Sequence, residues 1–119
     1  MTIDSLCIDC LGIDAERIRG HLGMLLLSVL AAGPAHGYAL SAELRRRSGD
    51  LLVVMEGSLY PALHRLEEGG LVKSSWESGD GRRRRQYALT PKGRKALKQE
   101  VEGWLEFRNC VDAIVGALK

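Results

Sequence analysis

Four consecutive arginines at positions 82–85 form the densest cluster of chemically active side chains in this sequence. Guanidinium groups bind phosphates through paired hydrogen bonds, and they favour the strong negative potential of narrow DNA minor grooves. The Gly-Asp-Gly stretch at 79–81 comes directly before them, so we expect a flexible loop that presents four cations to a polyanion. A run of arginines is also typical of a solvated loop, so the neighbouring elements must decide between the two interpretations.

Cys7 and Cys10 are the second candidate, because their C-x-x-C spacing is that of a redox pair or of half a metal site. A four-cysteine metal site needs a second pair, and the sequence offers only Cys110 besides them. Both thiols lie on the apolar face of a short predicted helix, where free cysteines commonly act as small buried groups. We therefore expect no metal site and favour packing, and a thiol-based redox sensor is the alternative.

Catalytic chemistry has little support in this sequence. The histidines His21, His36 and His64 fall in different predicted elements, with no carboxylate at an informative spacing. The sequence also contains no nucleophile elbow, no glycine-rich phosphate loop and no metal-binding helix pair. We interpret the chain as a protein that is not an enzyme and that needs no cofactor.

Length and charge limit what the protein can be. The 119 residues suffice for one modest core, and 45% hydrophobic with 27% charged residues is typical of a soluble globular protein. The longest apolar run is about half of the ~20 residues that a membrane span requires, so we expect a cytoplasmic protein without a membrane segment. The net charge of +2 is concentrated in residues 74–99, and both ends of the chain carry an excess of acids. Such a local basic segment favours a nucleic-acid partner.

Apolar residues at helical spacing predict two helices in the first part of the chain. The first begins at Ile18 and is ended by Gly33 and Pro34, and the second covers residues 38–47 with cations in its last turn. Residues 1–16 precede them as an N-terminal extension, in which we predict a short helix.

A third helix is predicted up to Glu68, with Ser58 as its N-cap and Pro61 within its first turn. Leucines at helical spacing form its inward stripe, so the opposite face should meet whatever this helix binds. That face consists of Tyr60, Pro61, His64, Arg65 and Glu68.

The hydrophobic period then changes from that of a helix to that of strands. Residues 71–77 and 83–89 contain strand formers and flank a glycine-rich turn, which predicts a two-stranded hairpin. We assign residues 17–90, with the helices and this hairpin, to one domain.

Residues 91–119 are predicted to form a long C-terminal dimerisation helix, with Thr90 as its N-cap and Pro91 at its first position. Such a helix extends about 40 Å, longer than the small domain can cover, so a second copy of the chain is the expected cover. Gly103 and Gly116 weaken it and allow a kink or an early end. The seam residues are Leu97, Val101, Trp104, Phe107, Val111, Ile114, Val115 and Leu118.

The predicted order of elements is that of a winged helix-turn-helix, a mainly α fold with a two-stranded β-wing and a long C-terminal helix. Several short strings within residues 18–118 resemble the PadR-like family of bacterial transcriptional regulators. They are HGY at 36–38, GSLYPALHRLE at 57–67, GLV at 70–72, GRRR at 81–84 and YALT at 87–90.

The resemblance implies a homodimeric DNA-binding regulator, usually a repressor, whose DNA affinity is often lowered by a small molecule. Two recognition helices and two wings would then bind a pseudo-palindromic operator with half-sites about one helical turn, ~34 Å, apart or a multiple of it. The positions that correspond to the family's DNA-facing residues are Tyr38, Ser58, Tyr60, His64, Arg65, Arg82, Arg83, Arg84 and Arg85.

Alternatives remain for single residues and for the function. Trp104 is first a packing residue of the seam, and the resemblance suggests that a planar aromatic effector could stack near it. His64 could be a surface residue without a role, and Tyr38 and Tyr60 could be packing residues. The rival function is a winged-helix interaction module whose basic hairpin docks on an acidic protein.

Overall fold

The computed structural model describes residues 20–79 and 82–116, and the side chains of residues 78, 79, 82 and 83 are outside the description. The predicted N-terminal helix with its two cysteines, Ile18 and Leu118 also lie outside the described residues. Gly20 and His21 form a turn and His21 is the N-cap of a helix that begins at Leu22, so the predicted helix start at Ile18 is wrong. The elements are α1 (Leu22–Leu30), β1 (Ala35–His36), α2 (Gly37–Arg47), α3 (Glu56–Glu68), β2 (Val72–Gly79), β3 (Arg82–Leu89) and α4 (Pro91–Val115).

The core lies where the first three helices meet the base of the sheet. Its fully buried side chains are leucines from each of these helices, joined by Val72 of β2. Tyr87 of β3 closes the core from the sheet side. Burial of these apolar groups is the main term that stabilises the arrangement and thereby fixes the exposed faces of the helices.

An extended segment, residues 51–55, joins α2 to α3. Leu52 and Val54 are buried, and the residues that alternate with them are exposed. Ser41 Oγ donates a hydrogen bond of 3.1 Å to the carbonyl of Val54, which ties the segment to α2. The buried pair thus determines where the next helix can begin.

Helix α3 begins earlier than the sequence predicts. Met55 is its N-cap in an extended conformation, so Ser58 lies within the first turn and caps nothing. Pro61 is the sixth residue of α3, beyond the first turn, and the carbonyl of Gly57 loses the N–H donor that another residue would supply. The predictions of Ser58 as N-cap and of a first-turn proline are therefore wrong, because the anchored segment before the helix places its start at Glu56.

The described strands form a three-stranded antiparallel sheet in the order β1-β3-β2. The two-residue strand β1 pairs Ala35 with Tyr87 and His36 with Gln86. The predicted two-stranded wing is confirmed as β2 and β3, and β1 adds a third strand at its base. No periodicity marks so short a strand in the sequence.

The arginines at 82–85 lie in strand β3. The strand predicted over residues 83–89 is therefore confirmed, and the expectation of a flexible loop that presents all four cations is wrong. They pair in register with residues 76–79 of β2, from Trp76 opposite Arg85 to Gly79 opposite Arg82. The register is set at the core end of the hairpin, where buried Val72 pairs with Leu89, and the ladder continues from there.

Helix α4 begins as predicted at Pro91, with the Oγ1 of Thr90 accepting a 3.0 Å hydrogen bond from the N–H of Gly93. The same hydroxyl donates to the carbonyl of Gly70 at 2.7 Å, which fixes the helix start to the base of the sheet. The helix continues through Gly103 without interruption to Val115. None of the helices in the described ranges is long and apolar enough to cross a membrane.

Candidate nucleic-acid interface

Helix α3 has a buried side and an exposed side. Leu59, Ala62 and Leu63 are packed into the core. The exposed side carries the face that helical spacing predicts, namely Tyr60, Pro61, His64, Arg65 and Glu68. A short helix with one polar face free is suited to enter a major groove.

The charges on α3 are mixed rather than uniformly positive. His64 Nε2 lies 3.4 Å from a carboxylate oxygen of Glu68, and both side chains are largely exposed. The exposed carboxylate of Glu56 lies in the first turn, where it offsets the partial positive charge of the helix start. Arg65 is the basic residue of the last turn. Contact of this helix with phosphates therefore depends on side-chain cations more than on the helix dipole.

Tyr60 combines exposure with packing, because its side chain is 42% exposed and its ring lies against the backbone of Gly37. A Cβ atom at Gly37 would lie 2.7 Å from the Cε1 and Oη atoms of this ring. A side chain at position 37 would therefore force the tyrosine ring to shift, and with glycine there the ring joins α3 to the start of α2. The sequence allowed Tyr60 to be a packing residue, and this is correct for the side of its ring that lies against Gly37.

Tyr38 follows Gly37 in the first turn of α2, and its side chain is 81% exposed. It therefore does not pack into the core of its own chain. An aromatic side chain with a hydroxyl at the start of this helix is available to a partner molecule, beside the face that α3 exposes.

Arg84 and Arg85 are both exposed, and their side chains point to opposite faces of the sheet because strand neighbours alternate. The guanidinium carbon of Arg85 lies 5.1 Å from the centre of the Trp76 ring, a cation–π contact. On the face of Arg84, Glu77 lies 3.0 Å from Nε2 of His36, so an ion pair can link β2 to β1 when the imidazole is protonated. Arg84 and Arg85 therefore belong to two different surfaces.

The wing is attached to α3 at its core end. Ser74 Oγ donates a 2.6 Å hydrogen bond to Oε2 of Glu67. Tyr87 pairs with Ser74 across the ladder and is buried, and this burial raises the pKa of its phenol while nearby Arg85 opposes the shift. Helix α3 and the wing thus form one surface with a fixed relative position.

Trp76 and Glu67 are two residues that the sequence reasoning did not single out. Trp76 could have been found from its position opposite an arginine in the predicted hairpin, but only if the register of the two strands had been known. The signal for Glu67 was absent, because its partner Ser74 lies in another element.

The predicted seam of α4 has two parts. Leu97 packs against the core, and Val101 is half-buried. Beyond residue 101 every described residue of α4 is exposed. The exposed seam residues are Trp104, Phe107, Val111, Ile114 and Val115.

A cavity of about 210 Å³ lies between the start of α1 and the middle of α4. The rings of His21 and Trp104 meet edge to face with centroids 5.4 Å apart, and Phe107 lies next to Trp104. Met24 and Glu100 also line the cavity. The walls of this open cavity are thus mainly aromatic and apolar, with one carboxylate.

Cysteine and metal chemistry find no further support in the described part of the chain. Cys110 is exposed and is a free thiol. Within residues 20–79 and 82–116, no group of three or more His, Cys, Asp or Glu side chains is placed to hold a metal ion.

Comparison with known proteins agrees with this geometry. Residues 26–99 match the model of the transcriptional regulator PadR-like family. A transcriptional regulator of Mycobacterium tuberculosis is 42% identical over 85 residues, which cover 71% of this chain and 77% of that protein. An uncharacterised protein of Lysinibacillus sphaericus is 27% identical over 106 residues, or 88% of this chain and 97% of its own length.

Solved structures show the same fold. A transcriptional regulator from Clostridium thermocellum superposes with a TM-score of 0.80 at 35% identity, covering 87% of this chain and 98% of that one. A PadR family transcriptional regulator from Eggerthella lenta gives 0.76 at 31% identity, covering 95% and 91%. The family members are transcriptional regulators rather than enzymes, which confirms the interpretation of this chain as a non-enzyme. The chain therefore belongs to the PadR-like family of DNA-binding transcriptional regulators.

Proposed function

We propose that this regulator is a homodimeric repressor that reads a pseudo-palindromic operator with α3 and the wing. The observation that carries the proposal is the single surface formed by the exposed side of α3 and the arginine-bearing wing, joined through Ser74 and Glu67. The positively charged wing can contact the phosphate backbone while the polar face of α3 lies in the adjacent groove of duplex DNA.

The residues have two kinds of task in this proposal. His64 and Arg65, exposed in the C-terminal half of α3, contact base edges in the major groove. Tyr38 and Ser58, exposed in the first turns of their helices, bind phosphates, and the exposed edge of Tyr60 contacts the same groove wall. The wing arginines Arg82, Arg83, Arg84 and Arg85 supply the phosphate and minor-groove contacts.

Dimerisation through α4 provides the symmetry that a palindrome requires. Exposed aromatic and branched side chains recur along the part of α4 that its own chain leaves uncovered, and a second copy would bury them in a helix–helix seam. Leu118 belongs to the seam predicted from the sequence and lies outside the described residues. Two recognition helices would then lie about one helical turn, ~34 Å, or a multiple of it apart.

Repression and its release complete the proposal. A dimer that covers a promoter excludes the polymerase, and the protein acts in the cytoplasm, where bacterial DNA lies. A planar aromatic effector that stacks on Trp104 in the cavity beside His21 would alter the packing of α4 against α1. Because α4 is fixed to the wing through Thr90, a shift of this helix would change the spacing of the two DNA-binding surfaces.

Selection of bound duplexes from a random pool tests the proposal in one step. We expect an enriched sequence with two inverted half-sites about one turn apart. Binding to a single asymmetric half-site, or no enrichment at low ionic strength, would contradict it. The second result would instead support the interaction module that docks on an acidic protein.

Two sets of variants separate phosphate contacts from base contacts. Replacing the arginines at 82–85 with alanine should weaken binding to all duplexes and reduce the salt slope by about one for each lost phosphate contact. His64→Ala or Arg65→Ala should change the enriched sequence and leave the salt slope closer to that of the wild type. The matched control is Arg94→Ala, an exposed cation on α4 outside the proposed surface.

A further inference from the structure

The wing carries exposed arginines on both of its faces, and only one face is turned towards the recognition helix. Trp76 and Arg85 form one registered pair of the ladder, and Ser74 and Tyr87 form the pair two positions nearer the core. Residues two apart along a strand share a face, so these four side chains lie together. Ser74 bonds to α3 and Tyr87 is buried beneath it, which identifies this face as the one beside α3.

The opposite face has a different composition. Arg84 lies there opposite Glu77, whose carboxylate also lies 3.0 Å from the imidazole of His36. A cation on this face has an acidic neighbour and points away from the surface that α3 presents. Arg84 is therefore poorly placed to act together with the recognition helix.

Arg85 is held by an aromatic ring. Its guanidinium carbon lies 5.1 Å from the centre of the Trp76 ring, whose side chain is 54% exposed. Stacking uses the flat face of a guanidinium and leaves the N–H groups on its edge available to an anion. A stacked arginine also loses less rotamer freedom when it binds than a freely moving one does.

We propose that Trp76 is a positioning residue that holds the guanidinium of Arg85 for a phosphate of the DNA backbone. The Trp76–Arg85 pair makes the principal wing contact of the described arginines, and Arg84 contributes a smaller one. This inference rests on the proposed function, since it assigns unequal roles within the same DNA-binding surface.

A double-mutant cycle on duplex affinity tests the inference. Arg85→Ala should weaken binding to the selected duplex by about tenfold, the size of one lost charge-assisted hydrogen bond. Trp76→Leu, which keeps apolar bulk and removes the aromatic face, should weaken it by about two- to fivefold. In the Arg85→Ala background, Trp76→Leu should cause no further loss, because its effect passes through the arginine.

Two controls make the result specific. Arg84→Ala removes the same charge from the other face and should weaken binding by about twofold, clearly less than Arg85→Ala does. Trp76→Phe keeps an aromatic face and should recover most of the affinity that Trp76→Leu loses. Thermal unfolding of each variant shows whether the wing is intact. Should Trp76→Leu fail to fold, Trp76→Ile carries the test, because it also removes the aromatic face and suits a strand.

The outcomes separate this inference from the function on which it rests. Wild-type protein that binds no duplex overturns both. Wild-type protein that binds, with equal losses for Arg84→Ala and Arg85→Ala, overturns the inference alone. An undiminished effect of Trp76→Leu in the Arg85→Ala background also overturns it, since the tryptophan would then act through packing or through its own contact.

Discussion

Apolar side chains are mostly buried in the winged-helix body, residues 22–90. They are exposed in the distal half of α4, residues 102–115. In the body, leucines such as Leu26 and Leu63 are fully buried. In the distal half, Phe107 is 58% exposed and Ile114 is 68% exposed. Both regions are regular, so secondary structure alone does not distinguish them.

This difference shows that the body is stabilised within one chain and that the distal helix is not. Most helical stability in proteins comes from packing of an apolar face, and the distal half of α4 has no such packing in its own chain. A contiguous exposed apolar surface of this kind marks an interaction site. The contrast supports the proposed homodimer and can be tested from both sides.

The largest effect is expected in the body. Leu63→Ala removes a side chain with no exposed surface and should lower the free energy of unfolding by about 2–5 kcal/mol. Ile114→Ala is the matched change in the distal half. Its effect should shrink towards zero as the protein is diluted, because it acts through association and the stabilisation by dimerisation falls with protein concentration. Denaturant unfolding at several protein concentrations measures both effects. If Ile114→Ala lowered the free energy of unfolding as much as Leu63→Ala at every protein concentration, the distal half would be stabilised within one chain like the body.

The second prediction breaks the proposed seam directly. Phe107→Glu places a carboxylate where two copies should bury a ring, and it should raise the dimer dissociation constant by about 100-fold or more. Asn109→Glu introduces the same charge about 200° further around the helix and should leave the dimer intact. Sedimentation of both variants measures the assembly. If the wild type were monomeric, or if both variants had the same dimer dissociation constant, the exposed apolar residues of α4 would not form a dimer seam.

The third prediction concerns the contact between the start of α4 and the sheet of the body. Gly93 is buried, and a Cβ atom there would collide with the carbonyl oxygen of Leu71 and lie 2.8 Å from Cδ1 of Leu89. Gly93→Ala should therefore destabilise the protein by about 1–3 kcal/mol.

A glycine in open space is the control for this joint. Gly57 in α3 has no neighbour within 4 Å of such a Cβ atom among the described residues. Gly57→Ala should stabilise the protein by up to about 1 kcal/mol through helix propensity. Thermal unfolding compares the two variants, and equal effects would mean that α4 is not held tightly against the sheet.

The smallest effect belongs to an ion-pair cluster on the surface of the body. Hydrogen bonds from Arg46 and then from Arg47 lower the pKa of Glu43 from 4.5 to about 2. A lowered pKa in the folded state means that this stabilisation is present above pH 4.5 and is lost as the pH falls through about 2. NMR titration should show that Arg46→Gln raises the pKa of Glu43. Arg45→Gln, which removes the partner of Asp50 instead, should leave it unchanged.

Much of the fold could be predicted from local patterns. The apolar spacing of the first three helices, the hairpin, and the Thr90 cap with Pro91 depend on neighbours a few residues away, and these predictions are confirmed. The exposed face of α3 follows in the same way, because a helix with one leucine stripe leaves the opposite side to solvent.

The errors arose where distant residues decide the conformation. The start of α3 depends on the burial of Leu52 and Val54, and the placement of the arginines in β3 depends on a register set at Val72. The division of Arg84 from Arg85 follows from that same register. None of these contacts is visible in the spacing of one segment.

The sequence by itself determined the types of most elements, the polar face of the recognition helix and the concentration of positive charge near residues 82–85. Each of these follows from periodicity or composition over a short stretch, which local physical rules govern. Only the tertiary structure decided that Tyr60 lies on Gly37, that the ring of Trp76 contacts the guanidinium of Arg85, and that half of α4 is left uncovered. Those facts depend on which surfaces meet, and side chains far apart in the chain meet only when the core has formed.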